Sequence, residues 1–161
     1  MARLTFKGLE EYELLISRLE KGTEEIAGRA IYAGAAVVAD EVRANIQSLP
    51  VIRGYGTPED PLPGGVTDRQ KRGLLAGFGI SSLKNNNGYL NVKLGFDGYN
   101  GQPTVKYPYG QPNVMVAYGT ESGSTWKRKH PFIRPAVNAS RKRAEAAMAE
   151  VLDEEIKKIV E

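Results

Sequence analysis

The 161-residue sequence predicts an α+β fold, a small, mainly antiparallel sheet of three or four strands packed against long N- and C-terminal helices. Apolar residues recur at helical spacing toward both ends, and the middle alternates with period two around an Asn-Gly turn. A Pro/Gly-rich stretch separates these two regimes. The length and a 41% hydrophobic content suit one domain with an ordinary core, spanning residues 1–161. Two flexible stretches stand out within it, an excursion at about 50–66 and a loop at about 98–112.

Residues 8–21 are expected to form the first helix, with Leu9, Tyr12, Leu15, Ile16 and Leu19 on one face. Gly22 stands where a left-handed cap closes a helix, and Thr23 where a hydroxyl opens the next. The second helix runs from Glu24 to about Gln47, ending before Pro50. Its stripe is Ile31, Gly34, Ala35, Val38, Val42 and Ile46, and its alanines, with Gly28 and Gly34, make a slim rod that another backbone can approach.

Residues 50–66 hold four prolines and four glycines, which rules out helix and disfavours a central strand. A loop of this length suggests a mobile excursion that orders against a neighbouring subunit. Strands are expected at Leu75–Leu83 and Tyr89–Phe96, flanking Asn85-Asn86-Asn87-Gly88. Leu90, Val92, Leu94 and Phe96 alternate there with Asn91, Lys93 and Gly95, one face buried and one wet. Thr104–Tyr107 and Val114–Tyr118 are the third and fourth candidates, and residues 98–112 read as turns with exposed aromatics. The last helix starts near Pro135 and reaches about Val160. Arg141, Lys142 and Arg143 sit near its positive end, which suggests that acidic partners hold them.

Composition removes several chemistries. The absence of cysteine excludes disulfides, thiolate metal sites and cysteine nucleophiles, and is compatible with a reducing cytoplasm. His130 is the only histidine, so acid–base chemistry near neutrality has to run through it. Neither a signal-peptide apolar run nor a membrane-spanning stretch occurs, so a soluble protein without membrane partners is expected. No G-x-S-x-G nucleophile signature is present, and Gly119-Thr120-Glu121-Ser122-Gly123 lacks the phosphate-loop pattern. The carboxylates of Asp153-Glu154-Glu155 have the spacing of a solvated helix face. The expectation is therefore no enzyme, with no catalytic, cofactor-binding or metal-binding residues.

The net charge of +3 is unevenly spread. Val66 to Arg134 carries ten Lys and Arg against three acids, and the flanks carry twelve against sixteen. A basic middle fits a solvated surface, an acidic protein partner or nucleic acid. The nucleic-acid alternative rests on Lys127-Arg128-Lys129 and on Tyr99, Tyr107 and Tyr109 as stacking platforms. The same tyrosines suit a protein–protein interface.

Two segments carry a resemblance. Ala117-Tyr118-Gly119-Thr120, followed by a basic linker and His130-Pro131-Phe132-Ile133-Arg134-Pro135-Ala136 opening a long helix, resembles a family of long-tailed bacteriophage virion proteins. Gly73-Leu74-Leu75 entering a strand and Phe6-Lys7-Gly8-Leu9-Glu10-Glu11 beginning a helix match the same layout. The family is the tail-component group typified by the product of gene ten of phage HK ninety-seven, with the lambda gene-Z minor tail proteins as relatives. Residues 50–66 and 98–112 depart from its pattern.

The resemblance implies a head–tail junction protein of a phage or prophage, acting in neck or tail completion. It implies a homo-oligomeric ring, a hexamer, that meets other neck and tail proteins around the DNA path, with only passive proximity to DNA. The location implied is the virion, after assembly in the bacterial host cytoplasm. The candidate interface is Tyr118, Gly119, Thr120, Trp126, Lys127, Arg128, Lys129, His130 and Phe132. Apart from any family, Pro131 and Pro135 fix the backbone around Phe132-Ile133, and Gly119 would permit a special conformation where a strand ends. Such a segment serves either as a rigid strand-to-helix connector or as one that also faces a neighbouring subunit.

Overall fold

The structure, a computed structural model, describes residues 10–54 and 56–160. It is α+β, with helices α1 (Glu10–Ser48), α2 (Asp68–Gly77), α3 (Asn113–Ser122) and α4 (Ile133–Val160). Its strands are β1 (Phe78–Ile80), β2 (Lys84–Asn86), β3 (Tyr89–Asn91) and β4 (Leu94–Phe96). The expected long terminal helices and small antiparallel β structure are present. The four strands form two separate two-stranded ribbons, β1 with β4 and β2 with β3.

α1 and α4 pack antiparallel as a shaft. Arg29 meets Glu155, Gly34 meets Met148, Arg143 meets Glu41 and Asn45 meets the Phe132 carbonyl, so partners descend along α4 as α1 ascends. The buried positions are small: Ala30, Ala35 and Ala39 on α1, Ala136, Ser140 and Ala144 on α4. A Cβ on Gly34 would lie 2.6 Å from the Met148 side chain, so the slim rod does admit a close neighbour.

The expected break at Gly22-Thr23 does not occur, because α1 continues through it. Glycine inside a helix costs only about 1 kcal/mol. Ile26 and Ile159 pack beside Gly22, so tertiary contact outweighs the local stop signal. Residues 6–9 of the N-terminal motif lie outside the described residues, as do the side chains of the stripe expected on residues 12–19. α4 begins at Ile133, two residues before Pro135, which sits in the first turn, where its missing N–H costs nothing. Of the three cations near the start of α4, Arg143 pairs with Glu41 on α1 at 2.7 Å, so an intrachain acid holds it.

At the other end of the shaft lies the main core. Val42, Ile46, Leu49, Val66, Leu74, Phe78, Val116, Ala117 and Phe132 form one buried cluster. Phe96 stands between Phe78, at 5.1 Å, and Phe132, at 6.2 Å edge-on.

Four sequence expectations are corrected in this region. Residues 75–77 belong to α2 instead of a strand, because Thr67 and Gln70 close a capping box at its start: the Gln70 N–H donates to Thr67 Oγ1 and the Thr67 N–H to Gln70 Oε1. Residues 114–118 are helix α3, since Asn113, Val116, Ala117 and Thr120 bury one helical face despite the β-favouring Val-Met-Val. Thr104–Tyr107 is a turn in which the two residues exchange backbone hydrogen bonds. The expected strand at 89–96 is divided into β3 and β4, with Lys93 bonded to Ser81 at the division. The Asn87-Gly88 turn is as expected: both residues have positive φ, 55° and 89°, the geometry of a tight hairpin.

The 50–66 excursion is tied to its own chain. The Ile52 N–H donates to the Val66 carbonyl and the Val66 N–H to the Pro50 carbonyl, closing the base of the loop. Gly65, at φ 131° and with its Cα face against the Pro50 carbonyl, is required there. Arg128 holds the far side through Asp60 at 2.8 Å and the Leu62 carbonyl at 3.1 Å. The Gly-rich 98–112 stretch is organised by Asn100, whose Oδ1 accepts from the Gln102 and Gln111 N–H groups.

Candidate functional site

The site is assembled between α3 and α4. Gly123, at φ 81°, ends α3 and releases the chain into a tight turn. Ser124 and Lys127 exchange backbone hydrogen bonds across it, which puts Thr125 and Trp126 at its tip. Trp126 is 81% exposed and Tyr118, on α3, is 71% exposed.

Glu121 joins the two helices. Its Oε2 accepts from the Phe132 N–H at 2.7 Å and the Ile133 N–H at 2.8 Å, and its Oε1 from the Arg134 N–H at 3.0 Å. These N–H groups have no carbonyl partner within α4, so a carboxylate from α3 supplies the cap and favours the positive helix end. Partial burial raises the Glu121 pKa, but the three backbone donors and nearby Arg134 outweigh it and hold the group below the ordinary carboxylate range. The His130 N–H donates to the Thr120 carbonyl at 2.7 Å, a second tie between connector and helix.

A cavity of about 450 Å³ opens beside this joint. Ile52 and Pro63 come from the excursion, Thr67 and Gln70 from the start of α2, Gln102, Thr104 and Gln111 from the Gly-rich loop, and Met115, Val116 and Tyr118 from α3. Trp126 and Lys127 complete it. The Lys127 ammonium donates to Thr120 Oγ1 at 2.9 Å, and that hydroxyl donates to the Val116 carbonyl at 2.7 Å. Burial pushes the Lys127 pKa down to about 8. The polar wall is a chain of amides: Gln70 Nε2 donates to Gln111 Oε1 at 2.7 Å, and the Thr67 hydroxyl to Gln102 Oε1 at 2.5 Å.

The expected interface residues divide into three groups. Tyr118, Gly119, Trp126 and Lys127 line the cavity. Arg128 and Lys129 are exposed, with Arg128 committed to the excursion, and His130 is half-buried. Thr120 and Phe132 are fully buried, so they support the surface from beneath and do not form it. Gly119 lies inside α3 with open space around it, because the strand it was expected to end is a helix. The glutamines, Thr67, Ile52 and Met115 escaped sequence reasoning. They come from four segments, and only the Thr67-x-x-Gln70 cap leaves a local signal.

Among the described residues no group of three His, Asp or Glu side chains is placed to hold a metal ion. No helix among them is long and apolar enough to cross a membrane. No protein-family model, curated protein or solved structure matches the chain.

Proposed function

We propose that the chain is a non-enzymatic virion structural protein of a phage or prophage head–tail junction, acting in neck or tail completion by ring assembly. Its work is done in the virion, through contacts with copies of itself and with other neck and tail proteins. One observation carries this reading: Trp126 and Tyr118 are displayed at 81% and 71% exposure on a tight turn and a helix, backbones that cannot fold them away. Large aromatics held out in this manner are the side chains that dominate protein interfaces. The resembling motif gains a physical role in this reading. Thr120, Glu121 and Phe132 build the joint, and the joint presents the aromatics.

The nucleic-acid alternative has less support. Lys127 is half-buried and Arg128 is paired with Asp60, so the basic run leaves Lys129 as its one uncommitted cation among the described residues.

Native mass spectrometry of the full chain, alone and mixed with purified neck and tail proteins, tests the proposal. A closed ring species is expected, and combined Tyr118→Ala and Trp126→Ala substitution should abolish it while the helical circular dichroism is unchanged. A strict monomer under both conditions overturns the reading. A salt-sensitive DNA affinity lost on Lys129→Ala would favour the alternative.

A further inference from the structure

We propose that the cavity beside Lys127 is a docking site for a carboxylate of a partner polypeptide. This deepens the assembly reading by naming what the surface grips. Of the sixteen residues lining the cavity, Lys127 is the only one that carries charge. Among the described residues it forms no ion pair. Three acids on adjoining segments are engaged elsewhere: Glu121 accepts three backbone N–H groups of α4, Asp60 is paired with Arg128, and Asp68 with Arg72. The ammonium is therefore half-withdrawn from water with a neutral hydroxyl as its partner, the state that an incoming carboxylate completes.

The walls indicate a polypeptide as the source. Ile52, Met115 and Val116 offer apolar surface for a side chain. Gln102 and Gln111 use their oxygens as acceptors within the protein, leaving amide NH2 groups that can donate to a peptide carbonyl. Trp126 and Tyr118 flank the mouth, and the volume of about 450 Å³ lies within the range of ligand pockets. A phosphate finds a poorer match. It is typically met by several cations or a free helix N-terminus, and here there is one amine, while Thr67 and Gln70 already cap α2.

Trp126 is the only tryptophan in the chain and stands at the rim, so its fluorescence reports occupancy. The full chain, diluted until light scattering shows its smallest species, is titrated with two acid–amide pairs. One pair is N-acetyl-Leu-Glu-amide against N-acetyl-Leu-Gln-amide, and the other is N-acetyl-Leu-Leu against its amide. In at least one pair the acid is expected to bind about tenfold more tightly than its neutral counterpart. Lys127→Met should bring the two within about twofold.

Equal binding within both pairs overturns the proposal, as does the absence of saturation by any of the four. Acid preference that survives Lys127→Met, or displacement of the acids by lower concentrations of inorganic phosphate, also overturns it. The acid–amide comparison in the unsubstituted chain keeps the test decisive if the variant misfolds. Ring formation is read separately: rings without acid preference sink the pocket alone, and acid preference without rings sinks the assembly reading alone.

Discussion

Along the shaft, α1 and α4 meet through Ala30, Ala35, Ala39, Ser140 and Ala144, with Met148 lying in the space above Gly34. At the opposite end, Leu74, Phe78, Phe96, Phe132 and Ile46 fill a core built from four helices and a ribbon. The shaft is a repeated contact, with each turn of one helix set against a turn of the other. The head consists of singular contacts between distant segments, closed by side chains that bond to backbone: Glu121 to α4, Lys71 to the Leu49 carbonyl, Asn113 to the Asp97 carbonyl. Small side chains make the shaft tolerant of truncation and sensitive to enlargement, and the head is sensitive to both.

That contrast can be broken most sharply at Phe132. Phe132→Ala should destabilise the fold by about 3–5 kcal/mol, whereas Ala144→Gly in the shaft should cost about 1 kcal/mol, both read from urea midpoints. A smaller Phe132 loss would mean that the core collapses around the gap.

The next effect concerns glycine. A Cβ on Gly77 would meet the Asp97 carbonyl oxygen, which is backbone and cannot swing aside. Gly77→Ala should therefore cost about 1–3 kcal/mol despite its better helix propensity. Gly119→Ala, on the open side of α3, should stabilise by up to about 1 kcal/mol in the same assay.

Glu121→Ala should cost about 1–2 kcal/mol at neutral pH, because three N–H groups of α4 lose their acceptor. The Glu121 pKa is lowered on folding, so its contribution is present above the unfolded carboxylate value and disappears as pH falls through the folded value. The gap between wild type and variant should accordingly close in acid.

Lys127 gives a slope of the same sign, but in alkaline solution. Its pKa falls from 10.5 to about 8 on folding, so between those values the unfolded chain binds the proton more readily. The contribution of this site to stability should rise as pH increases from about 8 to 10.5, and Lys127→Met should flatten that rise in urea midpoints across the interval.

The same contrast explains what was legible in the sequence. Val42 and Ile46 on α1, and Ser140 and Ala144 on α4, repeat at helical spacing, and the long terminal helices follow from that repetition. Gly22 misled because a local stop signal worth about 1 kcal/mol was set against contacts with α4 that no local pattern shows. α3 was missed although Asn113, Val116, Ala117 and Thr120 lie at i, i+3, i+4 and i+7, since two of the four buried residues are polar and hydrophobicity alone does not register them. α2 announced itself only through Thr67-x-x-Gln70, a cap and not a stripe. Of the cavity, Tyr118, Trp126 and Lys127 were visible as a local cluster. The glutamine wall was not, because the topology that gathers residues 70, 102 and 111 has no period.

The carboxylate that bridges α3 and α4 also has a mechanical side. Since Glu121 grips the first backbone amides of a 28-residue helix, a single carboxylate fixes where the longest element after α1 starts relative to the turn that displays Trp126.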